Sequence, residues 1–145
     1  MTVALGLDAG TVRVGLAATD PTGTLASPVA VLLRSRVREL WDRVRREAGD
    51  RAAEVVVVGL PRELDGSEGP AASDARKLAE DAARETGLPV EMWDERFTSA
   101  QAERELIAGG MRRDRRRATV DGVAAALMLQ GWVDARRART GTSRR

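Results

Sequence analysis

Runs of mostly apolar residues punctuate the chain, and glycine, proline or polar turns bound each of them. Residues 3–7 carry no charge, and residues 54–59 contain four consecutive valines. Both patterns are typical of strands that are buried on two faces. Pro28, within the third run, indicates an irregular or edge strand. In all, the pattern predicts five strands, at residues 1–8, 12–19, 24–33, 54–59 and 90–94.

Between these runs, apolar residues recur at intervals of three and four, which is the spacing of one helix face. Ser35 and Thr119 are the predicted N-caps of the first and last helices, and Gly49 is the predicted end of the first. The four predicted helices cover residues 35–48, 71–86, 98–108 and 120–137.

The order of these elements predicts an α/β fold with a five-stranded mixed sheet flanked by helices. Short turns join the first three strands, so they should be antiparallel, and helical crossovers bring in the last two as parallel strands. A chain of 145 residues is expected to form one domain. We assign residues 1–137 to that domain and 138–145 to a basic, flexible tail. Residues 60–70 and 111–118 are predicted loops.

The composition narrows the chemistry that the chain can perform. It contains no cysteine and no histidine, which excludes thiolate nucleophiles, zinc–thiolate sites and histidine-based triads. Catalysis would therefore depend on carboxylates, arginines, hydroxyls or ions held by oxygen ligands. No apolar run is long enough to span a bilayer, and no basic segment followed by an apolar one opens the chain. We expect a cytoplasmic protein without a membrane partner.

The net charge of +2 conceals an asymmetry between the two parts of the chain. Residues 1–108 hold 14 basic and 19 acidic side chains, whereas residues 109–145 hold ten arginines and three aspartates. All the cationic side chains except Lys77 are arginines, whose planar guanidinium suits phosphate. A basic end on an otherwise acidic chain predicts a polyanionic partner.

Several acids stand where predicted elements begin or end. Asp8 closes the first strand, Asp94 and Glu95 close the fifth, and Asp121 lies in the first turn of the last helix, four residues before the inward-facing Ala125. Each acid has a structural explanation when it is taken alone. Asp8 could form the following turn, and the helix dipole favours an acid in the position predicted for Asp121.

Taken together, Asp8 and Asp121 favour a metal site. Two carboxylates near one edge of a sheet repel each other unless a cation lies between them. Without histidine, such a cluster suits Mg²⁺ or Mn²⁺, which prefer oxygen ligands. Two ions about 4 Å apart activate water and stabilise the leaving oxygen in phosphodiester hydrolysis. This mechanism needs no histidine as a base, so the composition is compatible with it.

Hydroxyl and guanidinium groups near these acids are candidates for binding phosphate. Each has a structural alternative: a turn hydroxyl, an arginine paired with a neighbouring acid, or a solvated arginine-rich surface. The candidates are Thr11, Arg13, Arg96, Arg112, Arg113, Arg115, Arg116 and Arg117.

Four segments together resemble the motifs of the YqgF/RuvX family, in the family's order and spacing. They are residues 8–17, 59–66, 93–98 and 120–125, and the resemblance runs from about Val3 to Trp132. Each motif is weak alone, but the set of four is specific.

The resemblance implies the ribonuclease H-like fold of the Holliday-junction resolvases and a role in maturing the 5′ end of precursor 16S rRNA. It also implies that Asp8, Glu95 and Asp121 are the three metal-binding and catalytic acids. The resolvases take their second acid from the fourth strand, where residues 57–59 of this chain have no carboxylate. Glu95 is the implied replacement, and its neighbour Asp94 is the alternative.

Several functions compete at this point. The leading hypothesis is a nuclease for precursor rRNA, and the first alternative is a resolvase-like endonuclease for branched DNA. An RNA-binding ribosome assembly factor without catalysis comes from another class. Sugar kinases and actin-like ATPases also carry an Asp-x-Gly-Thr turn. They need two lobes around ATP, whereas 145 residues are enough for one lobe, so the length argues against this class. A homodimer is left open.

Overall fold

The described part of the chain forms three layers: two helices, a five-stranded sheet and a third helix. The computed structural model describes residues 2–97 and 113–143, with side chains at 2–97 and 122–139. The strands are β1 (Ala4–Ala9), β2 (Arg13–Thr19), β3 (Ala26–Leu33), β4 (Val55–Leu60) and β5 (Val90–Asp94). The helices are α1 (Val37–Arg51), α2 (Pro70–Thr86) and α3 (Arg113–Ser143), and a short 3-10 helix covers Glu95–Phe97.

The strand order in the sheet is β3-β2-β1-β4-β5, with β1 at its centre. β1 pairs with β2, and β2 with β3, in antiparallel register. β4 pairs with β1, and β5 with β4, in parallel register. The predicted mixed sheet is confirmed. Because β1, β4 and β5 are parallel, their carboxyl ends share one edge of the sheet.

β3 is an edge strand, as its proline indicated. Its pairing with β2 shifts between Leu16, which lies opposite Ala30, and Ala17, which lies opposite Pro28. Val29 is therefore the extra residue of a bulge. Proline cannot donate a backbone hydrogen bond, and its position beside a bulge at the edge of the sheet costs the least pairing.

Both faces of the central strands are buried. Alternate residues of β1, including Leu5 and Leu7, pack with the apolar side chains of α1 and α2. The opposite face packs against α3 through Met128 and Leu129. A Cβ on Gly6 would lie 3.0 Å from the Cβ of Leu129, so the glycine lets α3 approach the sheet closely.

Gln130 fastens α3 to the beginning of β3. Its side-chain amide accepts a hydrogen bond from the backbone N–H of Ala26 at 2.8 Å and donates one to the carbonyl of Thr24 at 3.0 Å. At this point of the sheet edge, the side chain makes the hydrogen bonds that the backbone of a neighbouring strand would otherwise make. It fixes where the helix lies along the sheet.

Two predictions about α1 are wrong. The N-cap is Arg36, not Ser35, and it makes no side-chain capping hydrogen bond. The helix also continues through Gly49 to Arg51 and ends at Ala52, whose φ is 53°. The backbone N–H groups after the helix still bond to its last carbonyls, so hydrogen bonding around Ala52 ends the helix without a glycine.

The structure also corrects the last helix. Residues 113–118 are helical instead of forming the predicted loop, so Thr119 is not an N-cap and Asp121 is not in the first turn. The helix dipole therefore no longer explains Asp121, because that effect is confined to the first turn. The helix reaches Ser143, six residues beyond its predicted end at Arg137.

The predicted helix at residues 98–108 lies outside the described residues. Among the described residues, no helix combines the length and the apolar character that a membrane span requires.

Gly49→Ala is expected to stabilise the protein by about 0.5–1 kcal/mol. Apart from its chain neighbours and the backbone of its own helix, a Cβ at this position would have no atom within 4 Å, and alanine is the better helix former. The free energy of unfolding, measured by urea denaturation, should rise accordingly. A destabilised variant would show that residue 49 is not helical in solution.

Candidate active site at the carboxyl end of the sheet

Asp8 lies near the end of the central strand, opposite Gly15 of β2. The turn that follows is closed by a 2.8 Å hydrogen bond from the N–H of Gly10 to the carbonyl of Arg13. A Cβ on Gly10 would lie only 2.7 Å from that carbonyl oxygen, so the turn needs a glycine here. The turn fixes the strand end, and with it the half-buried carboxylate of Asp8.

Glu95 brings a second carboxyl group to Asp8. It is the first residue of the 3-10 helix that follows β5. Burial, a hydrogen bond to Asp8 and the negative charges of Asp8 and Asp94 together raise the pKa of Glu95 to about 8. The two carboxyl groups therefore lie within hydrogen-bonding reach of each other, and Glu95 holds its proton more firmly than an exposed glutamate does.

Gly59 makes room for Glu95. A Cβ built on Gly59 would lie 2.6 Å from Oε1 of Glu95 and 3.2 Å from Cγ of Met128. The Glu95 side chain thus occupies space that a side chain from β4 would otherwise fill. The side chain of Glu95, which follows β5, therefore reaches past the end of β4 to Asp8.

Asp94 faces a different set of partners from its neighbour. Its carboxylate accepts hydrogen bonds from the side chain of Arg96 at 2.8–3.1 Å and lies 3.5 Å from Nε of Arg62. The bonds from Arg96 and the nearby charge of Arg62 lower the pKa of Asp94. Of the two adjacent acids, Glu95 contacts Asp8 and Asp94 contacts arginines.

The remaining predicted residues lie in different surroundings. Thr11 is exposed in the turn after Asp8, and Arg13 is exposed at the start of β2. Arg96 is bound to Asp94, which is the ion-pair alternative, although 39% of its side chain remains exposed. Arg112 lies outside the described residues. Four other arginines are in α3, with side chains that are not described: Arg113, Arg115, Arg116 and Arg117.

Asp121 is also in α3, and only its backbone is described. It precedes Ala125 by one helical turn and Met128 by two, and both of these side chains are buried against the sheet. Met128 contacts the edge of β4 beside Gly59. Among the described side chains, no three acids are close enough to hold one metal ion. The described part of the site therefore consists of the Asp8–Glu95 pair.

Arg34 supports the site, although the sequence did not single it out. Its Nη1 donates to the carbonyl of Gly10 at 3.0 Å, and its two terminal nitrogens bind the carboxylate of Asp74 at 2.6 and 2.9 Å. Arg34 therefore ties the turn after Asp8 to α2. The sequence contains 23 arginines, and Arg34 is the one that follows the third strand. No local pattern distinguishes it from the others.

The raised pKa of Glu95 predicts that stability depends on pH. The folded protein binds this proton more tightly than the unfolded chain, whose glutamates have a pKa near 4.5. The stabilising contribution is therefore complete below pH 4.5 and is lost as the pH rises through 8. One proton sets a ceiling of about 1.4 kcal/mol per pH unit, and solvent screening at this partly exposed group lowers it.

Denaturation of the metal-free protein between about pH 5 and pH 9 should show this loss. Glu95→Gln removes the titrating group and should flatten the profile. Equal slopes for the two proteins would contradict the assignment of the pKa to Glu95.

Comparison with known proteins places the chain in a family. The family model described as "RuvX: Holliday junction resolvase" matches residues 2–135. A protein of Mycobacterium ulcerans (strain Agy99) is 43% identical over 138 residues, which cover 94% of this chain and 81% of that protein. A protein of Myxococcus xanthus (strain DK1622) is 40% identical over 133 residues, with coverages of 92% and 88%. Both are named "Putative pre-16S rRNA nuclease".

A solved structure has the same fold. The structure described as "T. thermophilus RuvC in complex with Holliday junction substrate" aligns with a TM-score of 0.56 at 21% identity, over 94% of this chain and 96% of that one. This likeness confirms the ribonuclease H-like fold. The family model and the relatives cover nearly the whole chain, and they show that this protein belongs to the RuvX family.

Proposed function

We propose that the protein is a metal-dependent nuclease that hydrolyses phosphodiester bonds of structured nucleic acid and processes the 5′ end of precursor 16S rRNA. The observation that carries the proposal is the contact between the carboxyl groups of Asp8 and Glu95 at the carboxyl end of the central strands. The names of the relatives support the choice of RNA.

The Asp8–Glu95 pair fits a hard divalent cation. Two acids held together at a partly buried edge are costly when both are ionised, and the raised pKa of Glu95 records that cost. Mg²⁺ or Mn²⁺ would offset it, because both ions prefer carboxylate oxygens. Asp8, Glu95 and Asp121 are the residues that we propose as ligands. When bound, such ions supply an activated water and stabilise the departing oxygen.

Asp8 and Glu95 each have a defined role in this proposal. Asp8 is held in place by β1 and by the Gly10 turn. Glu95 gives up its proton when it becomes a ligand, so the affinity for the ion should rise with pH towards 8.

Phosphates of the substrate would be bound by hydroxyl and guanidinium groups around the pair. Thr11 and Arg13 lie on one side, and Arg96 on the other. The arginine-rich segment, Arg112, Arg113, Arg115, Arg116 and Arg117, would contact the backbone further away.

The main alternative substrate is branched DNA, because the matching family model is described as a Holliday junction resolvase. Such an enzyme would need two active sites for two strands, and a homodimer would supply them. The third possibility, an assembly factor that binds RNA without cutting it, predicts that the acids are dispensable.

A side-by-side cleavage assay with Mg²⁺ or Mn²⁺ separates these functions. The substrates are an end-labelled precursor 16S fragment, the same fragment with a mature 5′ end, and a four-way DNA junction with its matched duplex. We expect the precursor to be cut about tenfold or more faster than the other three. Preferential cutting of the junction would favour the resolvase. RNA binding without any cleavage would contradict a nuclease and favour the assembly factor.

A further inference from the structure

Arg62 lies at the same edge of the sheet as the Asp8–Glu95 pair. β4 ends at Leu60, which pairs with Asp94 of β5, and Arg62 follows two residues later. Nε of Arg62 lies 3.5 Å from the Asp94 carboxylate. Asp94 is close enough to Glu95 for its charge to act on that carboxyl group. A single acid therefore separates Arg62 from the pair.

Two carboxylates hold the guanidinium of Arg62 at distances longer than a normal hydrogen bond. In the described part of the chain, its ion pairs are at 3.5 Å to Asp94 and 3.9 Å to Glu68. An arginine has five N–H donors, and Arg62 is an exposed residue whose side chain is 33% exposed. The donors that no protein acceptor binds closely are therefore accessible to an acceptor that comes from outside the protein.

Both of these acids are bound more closely by another arginine. Arg96 donates to Asp94 at 2.8–3.1 Å, and Arg76 donates to Glu68 at 2.6 and 2.7 Å. Three arginines thus share two carboxylates. Because the short pairs neutralise both acids, the uncompensated positive charge of the network belongs mainly to Arg62.

The loop that carries Arg62 is well organised. Gly66 has a φ of 88°, and its N–H donates to the carbonyl of Glu63, while the N–H of Glu63 donates to the carbonyl of Ser67, each at 2.9 Å. Nη1 of Arg96 lies 3.4 Å from the place of a Cβ on Gly66. The segment that follows Arg62 is therefore positioned against the site.

We propose that Arg62 binds a backbone phosphate of the nucleic acid beside the bond that is cut. The planar guanidinium matches phosphate oxygens, and its long contacts to Asp94 and Glu68 leave its donors available to them. The identity of the ligand rests on the proposed nuclease function, whereas the phosphate contact itself is tested by binding alone.

The experiment measures binding of a fluorescein-labelled single-stranded RNA of about 20 nucleotides by anisotropy, in EDTA and at several salt concentrations. Arg62→Ala should weaken binding about five- to tenfold and reduce the slope of log K against log salt by about 0.7, the value for one phosphate contact on a single strand. Arg76→Ala, at the far end of the same network, is the matched control and should keep the wild-type affinity and slope.

A wild-type slope in Arg62→Ala, or an equal loss in Arg76→Ala, would overturn the proposal, because the network would then only hold the loop. If the alanine variant fails to fold, Arg62→Gln removes the charge with less loss of packing, and the same criteria apply. Absence of RNA binding by the wild type would also overturn it. EDTA makes the result independent of catalysis, so a wild type that binds but never cleaves with Mn²⁺ contradicts the nuclease function alone.

Discussion

Asp8→Asn is expected to lower the rate of metal-dependent cleavage by about 10³-fold or more while the protein remains folded. The substitution keeps the shape of the side chain but removes the charge at the centre of the site, and an amide is a much weaker ligand for Mg²⁺ or Mn²⁺. The wild-type Asp8 carboxylate also raises the pKa of Glu95. Glu95 should therefore titrate at a lower pH in the variant.

Three measurements test this expectation together. Single-turnover cleavage reports the chemical step, calorimetric titration with Mn²⁺ reports ion binding, and urea denaturation reports folding. Asp50→Asn is the matched control, because Asp50 is an exposed acid on α1 and should tolerate the change. Asp121→Asn should behave like Asp8→Asn if it is the third ligand. Cleavage that persists in both variants would refute the assignment of the site.

Gly59→Ala is expected to lower cleavage by about 10²-fold, although it adds only one methyl group. That methyl would lie 2.6 Å from Oε1 of Glu95, so the carboxyl group must shift, and we expect its contact with Asp8 to be disturbed. A displacement of about 1 Å is enough for a loss of this size. The methyl would also press on Met128 at 3.2 Å, so a modest destabilisation should accompany the loss.

Gly49→Ala is the matched control, because there the same methyl group meets no atom of another part of the chain. Rates of cleavage at saturating Mn²⁺ and the pH profile of stability should be compared for both variants. Gly59→Ala should lose the steep pH dependence that Glu95 causes when it lies against Asp8. Full activity together with an unchanged profile would show that Glu95 is not held in the space above Gly59.

The sequence alone determined most of the fold. The uncharged run before Asp8 and the four valines of β4 were predicted to be strands buried on both faces, and both lie inside the sheet. Pro28 correctly indicated an edge, because its missing N–H excludes a central position. These predictions succeeded because each rests on a local property that tertiary contacts reinforce.

The sequence was less informative where two local preferences compete. Gly49 could end α1 or lie within it, and the contacts of the following residues decided that it lies within. The segment from Arg113 combines arginines, which favour helix, with Thr119, which favours an N-cap. In the structure this segment is helical, and Asp121 lies well inside α3.

The candidate site, too, could be predicted from the sequence only in part. The sequence identified Asp8, Glu95 and Asp121 as acids at the ends of elements, together with Asp94 as the alternative. Only the tertiary structure separated Asp94 from Glu95, because β5 ends at Asp94 and the 3-10 helix directs the next residue to Asp8. Gly59 and the Glu95 side chain that fills the space beside it are far apart in the sequence, as are Arg62 and Asp94. Spacing along one chain cannot show which groups share a volume or a charge, and this is what the fold decided.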